Sequence, residues 1–116
     1  MLPKKRRIKR GDFPYLISKG RRYNTPHLLL YVVKMAENKA NSATKVSFSV
    51  SKKVCSKAVD RNKLRRRGYS IISSHISEIQ PNFECFFVFK KDSLDVSFKA
   101  LEDEILELLS TALVIK

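Results

Sequence analysis

Val50-Ser51-Lys52-Lys53-Val54-Cys55-Ser56-Lys57-Ala58-Val59-Asp60-Arg61-Asn62-Lys63-Leu64-Arg65-Arg66-Arg67 decides how the rest of the chain is read. Eight of these eighteen residues are Lys or Arg, and Asp60 is the only acid among them. A solvated helical face normally interleaves Glu with Lys at i,i+4, and this run has no such support. Cations at that density repel one another unless a polyanion is the intended neighbour, so the run reads as a nucleic-acid surface. From Ser56 as N-cap, a helix is expected over residues 56–77. Leu64, Gly68, Ile71, Ile72, His75 and Ile76 make one stripe, and Asn62, Lys63, Arg65, Arg66 and Arg67 fall away from it. The stripe docks on a sheet and the basic face turns outward. Gly68, costly inside a helix, marks a close helix-to-sheet contact or a kink.

Upstream, residues 45–50 alternate Val46, Phe48 and Val50 with Ser47, Ser49 and Ser51, the period-2 pattern of a half-buried strand. The serine side either meets a ligand or simply faces water. A polar, small-residue loop is expected over 37–44, and the apolar run at 28–33 reads as a further strand. Residues 12–19 predict a short helix with Asp12 as N-cap, Pro14 in its first turn and Gly20 as its stop; Phe13, Leu16 and Ile17 are expected on one face. Residues 1–10 form a basic arm, expected to be flexible until it meets a partner, and residues 11–116 one RNA-binding domain.

Downstream, residues 83–89 read as a central strand, with Cys85, Phe87 and Phe89 on one side and Phe86 and Val88 on the other. A last helix, capped by Asp95 or Ser97, carries Phe98, Leu101, Ile105, Leu108 and Leu109 as its apolar stripe. Glu102, Asp103, Glu104 and Glu107 lie outside that stripe.

The 116 residues carry a formal charge of +13. It is unevenly placed: 20 Lys and Arg against 3 acids up to Arg67 give +17, and 4 against 8 thereafter give −4. RNA or DNA fits this better than an anionic membrane, because no amphipathic basic helix is paired with Trp anchors. Cys55 and Cys85 have no ligand spacing and read as small, partly buried residues of a reducing cytosol. His75 reads as a packed histidine. No phosphate loop, HExxH motif, nucleophile elbow or carboxylate pair occurs in the basic half, so binding is favoured over chemistry by this chain.

Ser47-Phe48-Ser49-Val50-Ser51-Lys52-Lys53-Val54, followed by Ala58-Val59 and Arg61-Asn62-Lys63-Leu64-Arg65-Arg66, resembles the strand, loop and helix signature of the bacterial ribonuclease P protein subunit. Asp12-Phe13, Lys19-Gly20-Arg21, Leu29-Leu30-Tyr31 and Ser97-Phe98 extend the resemblance from about Lys4 to Leu109. It implies an α/β (α+β) two-layer sandwich in the order α-β-β-β-α-β-α. The four-stranded sheet would include a short strand near 22–24 and an unusual left-handed β-α-β crossover. It also implies a function: assisting endonucleolytic 5′ maturation of tRNA, with catalysis and Mg²⁺ belonging mainly to the partner RNA and no dedicated metal site in the protein. The implied partners are ribonuclease P RNA and precursor tRNA, with no membrane and no obligate protein partner. The alternative is a ribosomal-type RNA-binding protein.

Carried over by position, the RNA-facing residues are Lys52, Lys53, Arg61, Asn62, Lys63, Arg65 and Arg66, with Lys57 in the same basic run. The cleft for the single-stranded 5′ leader comprises Phe13, Ile17, Tyr31 and Phe48, with Lys19 nearby. For Phe13 and Phe48 plain core packing is the competing reading. The chain departs from the family pattern at Lys63, the third residue of the Arg-Asn-Arg core, where charge is kept but the planar fork is lost, at Gly68, at Tyr69, where Arg is usual, and at Ile17, where an aromatic is usual.

Overall fold

A computed structural model describes residues 6–35 and 43–115. The elements run α1 (Phe13–Lys19), β1 (Arg21–Asn24), β2 (Leu28–Lys34), β3 (Lys45–Ser49), α2 (Ala58–Ser74), β4 (Phe83–Phe89) and α3 (Phe98–Thr111). This is the expected order, and it contains the short strand implied near 22–24. The sheet order is β1-β2-β4-β3. The β1–β2 and β2–β4 pairs are antiparallel, whereas β3 runs parallel to β4 and reaches it through α2.

Strand alternation gives the sheet two unlike faces. Leu28, Leu30 and Val32 of β2, Val46 and Phe48 of β3, and Cys85, Phe87 and Phe89 of β4 are buried in one cluster with Leu64, Ile71 and Ile72 of α2 and Leu101, Ile105, Leu108 and Leu109 of α3. Fully burying a side chain of this kind contributes about 1.5–3 kcal/mol, so this layer carries most of the stability. Among the described residues, α1 and the segment before it cover the other face, and they do so partially. Leu16 is buried there, and the Phe13 ring meets Phe86 edge to face at 4.8 Å.

Several local expectations are corrected. Within the expected arm, Ile8 is buried against the sheet, its N–H donating to Ser47 Oγ at 3.2 Å, while Lys9 and Arg10 are exposed. One apolar side chain in a basic segment is enough to seat it on the serine side of β3. Residues 1–5, and the expected loop up to residue 42, lie outside the described residues. Ile17 is 49% exposed: α1 turns Leu16 into the sheet and Phe13 onto Phe86, and Ile17, about 100° round the helix from Leu16, falls at the solvent edge of that face. Asp12 makes no side-chain cap, since the chain enters α1 from a 3-10 turn, Arg10–Asp12.

The central helix is shorter than expected. Lys57, not Ser56, occupies the N-cap without a side-chain bond, and the Ser56 carbonyl is taken by Arg61. At the other end His75 leaves helical geometry at φ −115°, and a 3-10 turn, Ile76–Glu78, follows. Ser97 is the cap of α3, its side chain accepting the Ala100 N–H at 3.1 Å. The acidic residues of α3 are partly structural: Glu104 accepts the His27 N–H at 2.9 Å and holds His27 Nδ1 at 2.7 Å, fastening the turn between β1 and β2. Desolvation pushes the Glu104 carboxyl up, but its bonds from Thr25 and His27 outweigh that and leave it below its ordinary value.

Candidate nucleic-acid interface

Two surfaces emerge on different elements. The first belongs to α2 and the turn before it. Lys52, Lys53, Lys57, Asn62, Lys63 and Arg66 are exposed, as the outward face of the sequence pattern requires. Arg61 is half-buried, and its Nη1 donates to the Cys55 and Ser56 carbonyls, each at 2.9 Å. The guanidinium therefore pins the turn that carries Lys52 and Lys53 to the first turn of the helix. Its planar fork has further N–H donors pointing away from that pair, which a lysine could not supply in fixed geometry.

One turn on, Arg65 Nη2 donates to Asn62 Oδ1, which sets both side chains in one orientation. Asn62, Arg65, Arg66, Tyr69 and Ser73 line a hollow of about 810 Å³ along this flank of α2. Its floor is closed by Tyr69, which is buried and turns its hydroxyl into the protein rather than outward. The expected set is thus carried by α2 and its leading turn, with Lys63 exposed outside the lining of the hollow.

The second surface is the partly covered face of the sheet. The strand register places Arg22, Tyr31, Phe86 and Ser47 in one row across all four strands. Tyr31 stacks on Phe86 with ring centroids 6.1 Å apart and planes 22° from parallel, and Phe13 stands over Phe86 from α1. These three half-buried aromatics, with Arg22 at one end of the row, can stack bases and offset phosphate charge without reading sequence. Ile8 and Ser47 close the other end of the row.

Of the expected cleft residues, Phe13 and Tyr31 are brought together. Phe48 is not. It belongs to the row Tyr23–Leu30–Phe87–Phe48 on the opposite face, stacked on Phe87 at 4.8 Å and on Phe89 at 5.7 Å, so core packing is its role. Ile17 is exposed beside the cleft, and Lys19 lies at the far end of α1, lining a separate groove. Phe86, absent from the expected set, is the centre of the aromatic row. Its apolar neighbours in sequence hide it, and only its register with Tyr31 reveals it.

The Ribonuclease P family model matches residues 2–113. The ribonuclease P protein component of Synechococcus elongatus is 33% identical over 116 residues, covering 98% of this chain and 95% of that protein. That of Clostridioides difficile is 33% identical over 98 residues, covering 84% and 82%. Among solved structures, the ribonuclease P protein of Staphylococcus aureus superposes with a TM-score of 0.83 at 24% identity, over 98% of this chain and 100% of that one.

Proposed function

Because the chain belongs to the bacterial ribonuclease P protein family, we propose that its two surfaces divide the holoenzyme's RNA between them. It is the protein component of an endoribonuclease ribonucleoprotein that matures the 5′ end of tRNA. The α2 flank, with Lys52, Lys53, Lys57, Arg61, Asn62, Lys63, Arg65 and Arg66, takes the ribonuclease P RNA. The aromatic cleft of Phe13, Tyr31 and Phe86 takes the single-stranded leader of precursor tRNA. The observation that carries this division is the placement of stacking groups and the densest cations on separate elements, with Arg61 tying the basic turn to α2.

Bond cleavage and the Mg²⁺ that serves it belong to the RNA; this chain contributes binding. A net charge of +13 set between two polyanions lowers their mutual repulsion, a task that free Mg²⁺ would otherwise have to perform. Both cysteines are unpaired and buried thiols, in keeping with action in the cytoplasm. The test is precursor-tRNA cleavage by the cognate RNA at low Mg²⁺ with and without the chain. A marked stimulation is expected, and an unchanged rate overturns the reading.

A further inference from the structure

The hollow on the α2 flank carries more than charge. Its lining includes Val59, which is 65% exposed, and Ser70, and no acidic side chain is among the described lining. At roughly 100° per residue, Val59, Arg66 and Ser70 fall in one narrow sector of the helix and form one wall. Arg65 stands on the other rim, with Asn62 and Tyr69 between. From Val59 to Arg66 the hollow runs two helical turns, roughly 10 Å, the span of a single nucleotide.

The chemistry of the lining says what kind of RNA element fits. A phosphate would be served by the guanidinium groups alone and would gain nothing from Val59. Arg65 is half-buried and its Nη2 donates to Asn62 Oδ1, so its guanidinium is drawn over the hollow toward the opposite wall. A guanidinium plane facing an aliphatic side chain is a slot for a flat ring. With Asn62 Oδ1 engaged by Arg65, the Nδ2 hydrogens are left to meet an acceptor on the ring edge. A continuous A-form duplex does not fill such a slot, because its bases stay in the stack.

We propose that this hollow receives one unpaired nucleotide extruded from the ribonuclease P RNA. Its base lies between Arg65 and Val59 with Asn62 at its edge, and its phosphates meet Arg66 and the outward N–H groups of Arg65. The proposal rests on the assignment of the α2 flank to that RNA. It makes α2 select a bulge or junction over a regular helix, whereas Lys52, Lys53 and Lys63, outside the hollow, supply attraction that is indifferent to pairing.

The test measures binding of the chain to three RNA hairpins that differ at one place: a continuous helix, the same helix with one extra unpaired nucleotide, and that bulge without its base. The bulged hairpin should bind about tenfold more tightly than the continuous one, the worth of stacking one base, and the baseless bulge should show no such gain. Val59→Ala removes one wall of the slot and should cut the bulge advantage severalfold; Val59 is exposed, so the core is untouched. The advantage should persist in Tyr31→Ala, which alters the aromatic cleft instead. Equal binding of the continuous and bulged hairpins overturns the nucleotide site. So does an advantage that survives loss of the base, that Val59→Ala spares or that Tyr31→Ala abolishes. Arg66→Ala separates this site from the reading beneath it. Weaker binding of all three hairpins keeps α2 as the RNA interface whatever becomes of the nucleotide site, and unchanged binding of all three removes the interface itself.

Discussion

Phe48 and Tyr69 are joined twice: the Phe48 backbone N–H donates to Tyr69 Oη at 3.2 Å, and the two rings meet edge to face at 5.0 Å. Phe48 sits on β3, an edge strand, so the hydroxyl satisfies a backbone donor that β4 does not reach. Tyr69, where the family pattern has Arg, therefore seals the sheet edge from α2. Tyr69→Phe keeps the ring contact and strands the buried N–H. The expected loss is about 1–3 kcal/mol, read as a lower denaturation midpoint with unchanged denaturant slope.

Gly68 completes that contact. A Cβ on it would stand 2.6 Å from Phe48 Cε1, and the Phe48 ring cannot retreat because it is stacked on Phe87 and Phe89. Gly68→Ala gains about 1 kcal/mol of helix propensity. Overpacking of about 1–3 kcal/mol opposes it and wins. Thermal unfolding should show Gly68→Ala less stable than the parent; a rise in Tm would mean α2 can lift off β3 at no cost.

These contacts mark where sequence reading stopped. The alternation of β3 separates Val46 and Phe48 from Ser47 and Ser49, but it does not decide which side faces the helices; the resemblance alone places Phe48 in the leader cleft. Pairing with Phe87 decides it, and pairing is a property of three strands. Phe86 escaped for the converse reason: β4 is apolar on both sides, so nothing local distinguishes its cleft-facing residues. The outward placement of Asn62, Lys63 and Arg66 on α2 was legible, because helical period and charge agree there, but the Arg61 bonds to the Cys55 and Ser56 carbonyls were not. The groove of Tyr15, Lys34 and Leu113 was not, since it is assembled from ends of elements almost a hundred residues apart. Likewise, Glu102 lies 27 residues from His75, and no local spacing discloses their bond.

The exchange of faces makes Phe48 and Tyr31 separable by mutation. Tyr31→Ala and Phe86→Ala should each weaken binding of the leader by about 1–3 kcal/mol, with the affinity for ribonuclease P RNA alone unchanged. Phe48→Ala should instead cost about 3–5 kcal/mol of folding stability. At a temperature where Phe48→Ala is still folded, its leader affinity should match the parent. A specific loss there would return Phe48 to the cleft.

Arg61 and Arg65 are adjacent on the α2 flank but anchored differently, and their variants should differ. If Arg65 meets one RNA phosphate, as proposed, Arg65→Ala should lower the salt slope of RNA binding by about 0.9 with little change in stability. Arg61→Ala should do the same and also release the Cys55 and Ser56 carbonyls, at about 1 kcal/mol of stability or slightly more. Arg61→Lys, which keeps charge but not the fork, should restore most of the salt slope and little of the stability. Equal stability in all three proteins would show that the turn does not depend on the guanidinium.

His75 gives the fold a pH dependence. Its Nε2 lies 3.0 Å from Glu102 on α3 and its Nδ1 2.7 Å from Glu78, so both ring nitrogens meet carboxylates and the doubly protonated ring is favoured. The bond to Glu102, then that to Glu78, raises its pKa above 6.5 against the opposing effect of burial. A raised folded-state pKa means that the stabilisation is fully present below pH 6.5, the unfolded value, and is lost as pH rises through the folded value. The clamp between the end of α2 and α3 should therefore loosen on the alkaline side. Glu104 acts with the opposite sign: its lowered pKa contributes stability above 4.5 that is lost as pH falls through the folded value, so the two windows do not overlap. Thermal unfolding followed across both windows should show a Tm decline on each side. In His75→Gln, which keeps a hydrogen-bonding side chain but does not titrate, the alkaline decline should flatten while the acid decline remains. If the alkaline limb persists in His75→Gln, another group carries it, and the two carboxylates around His75 have no part in the pH response.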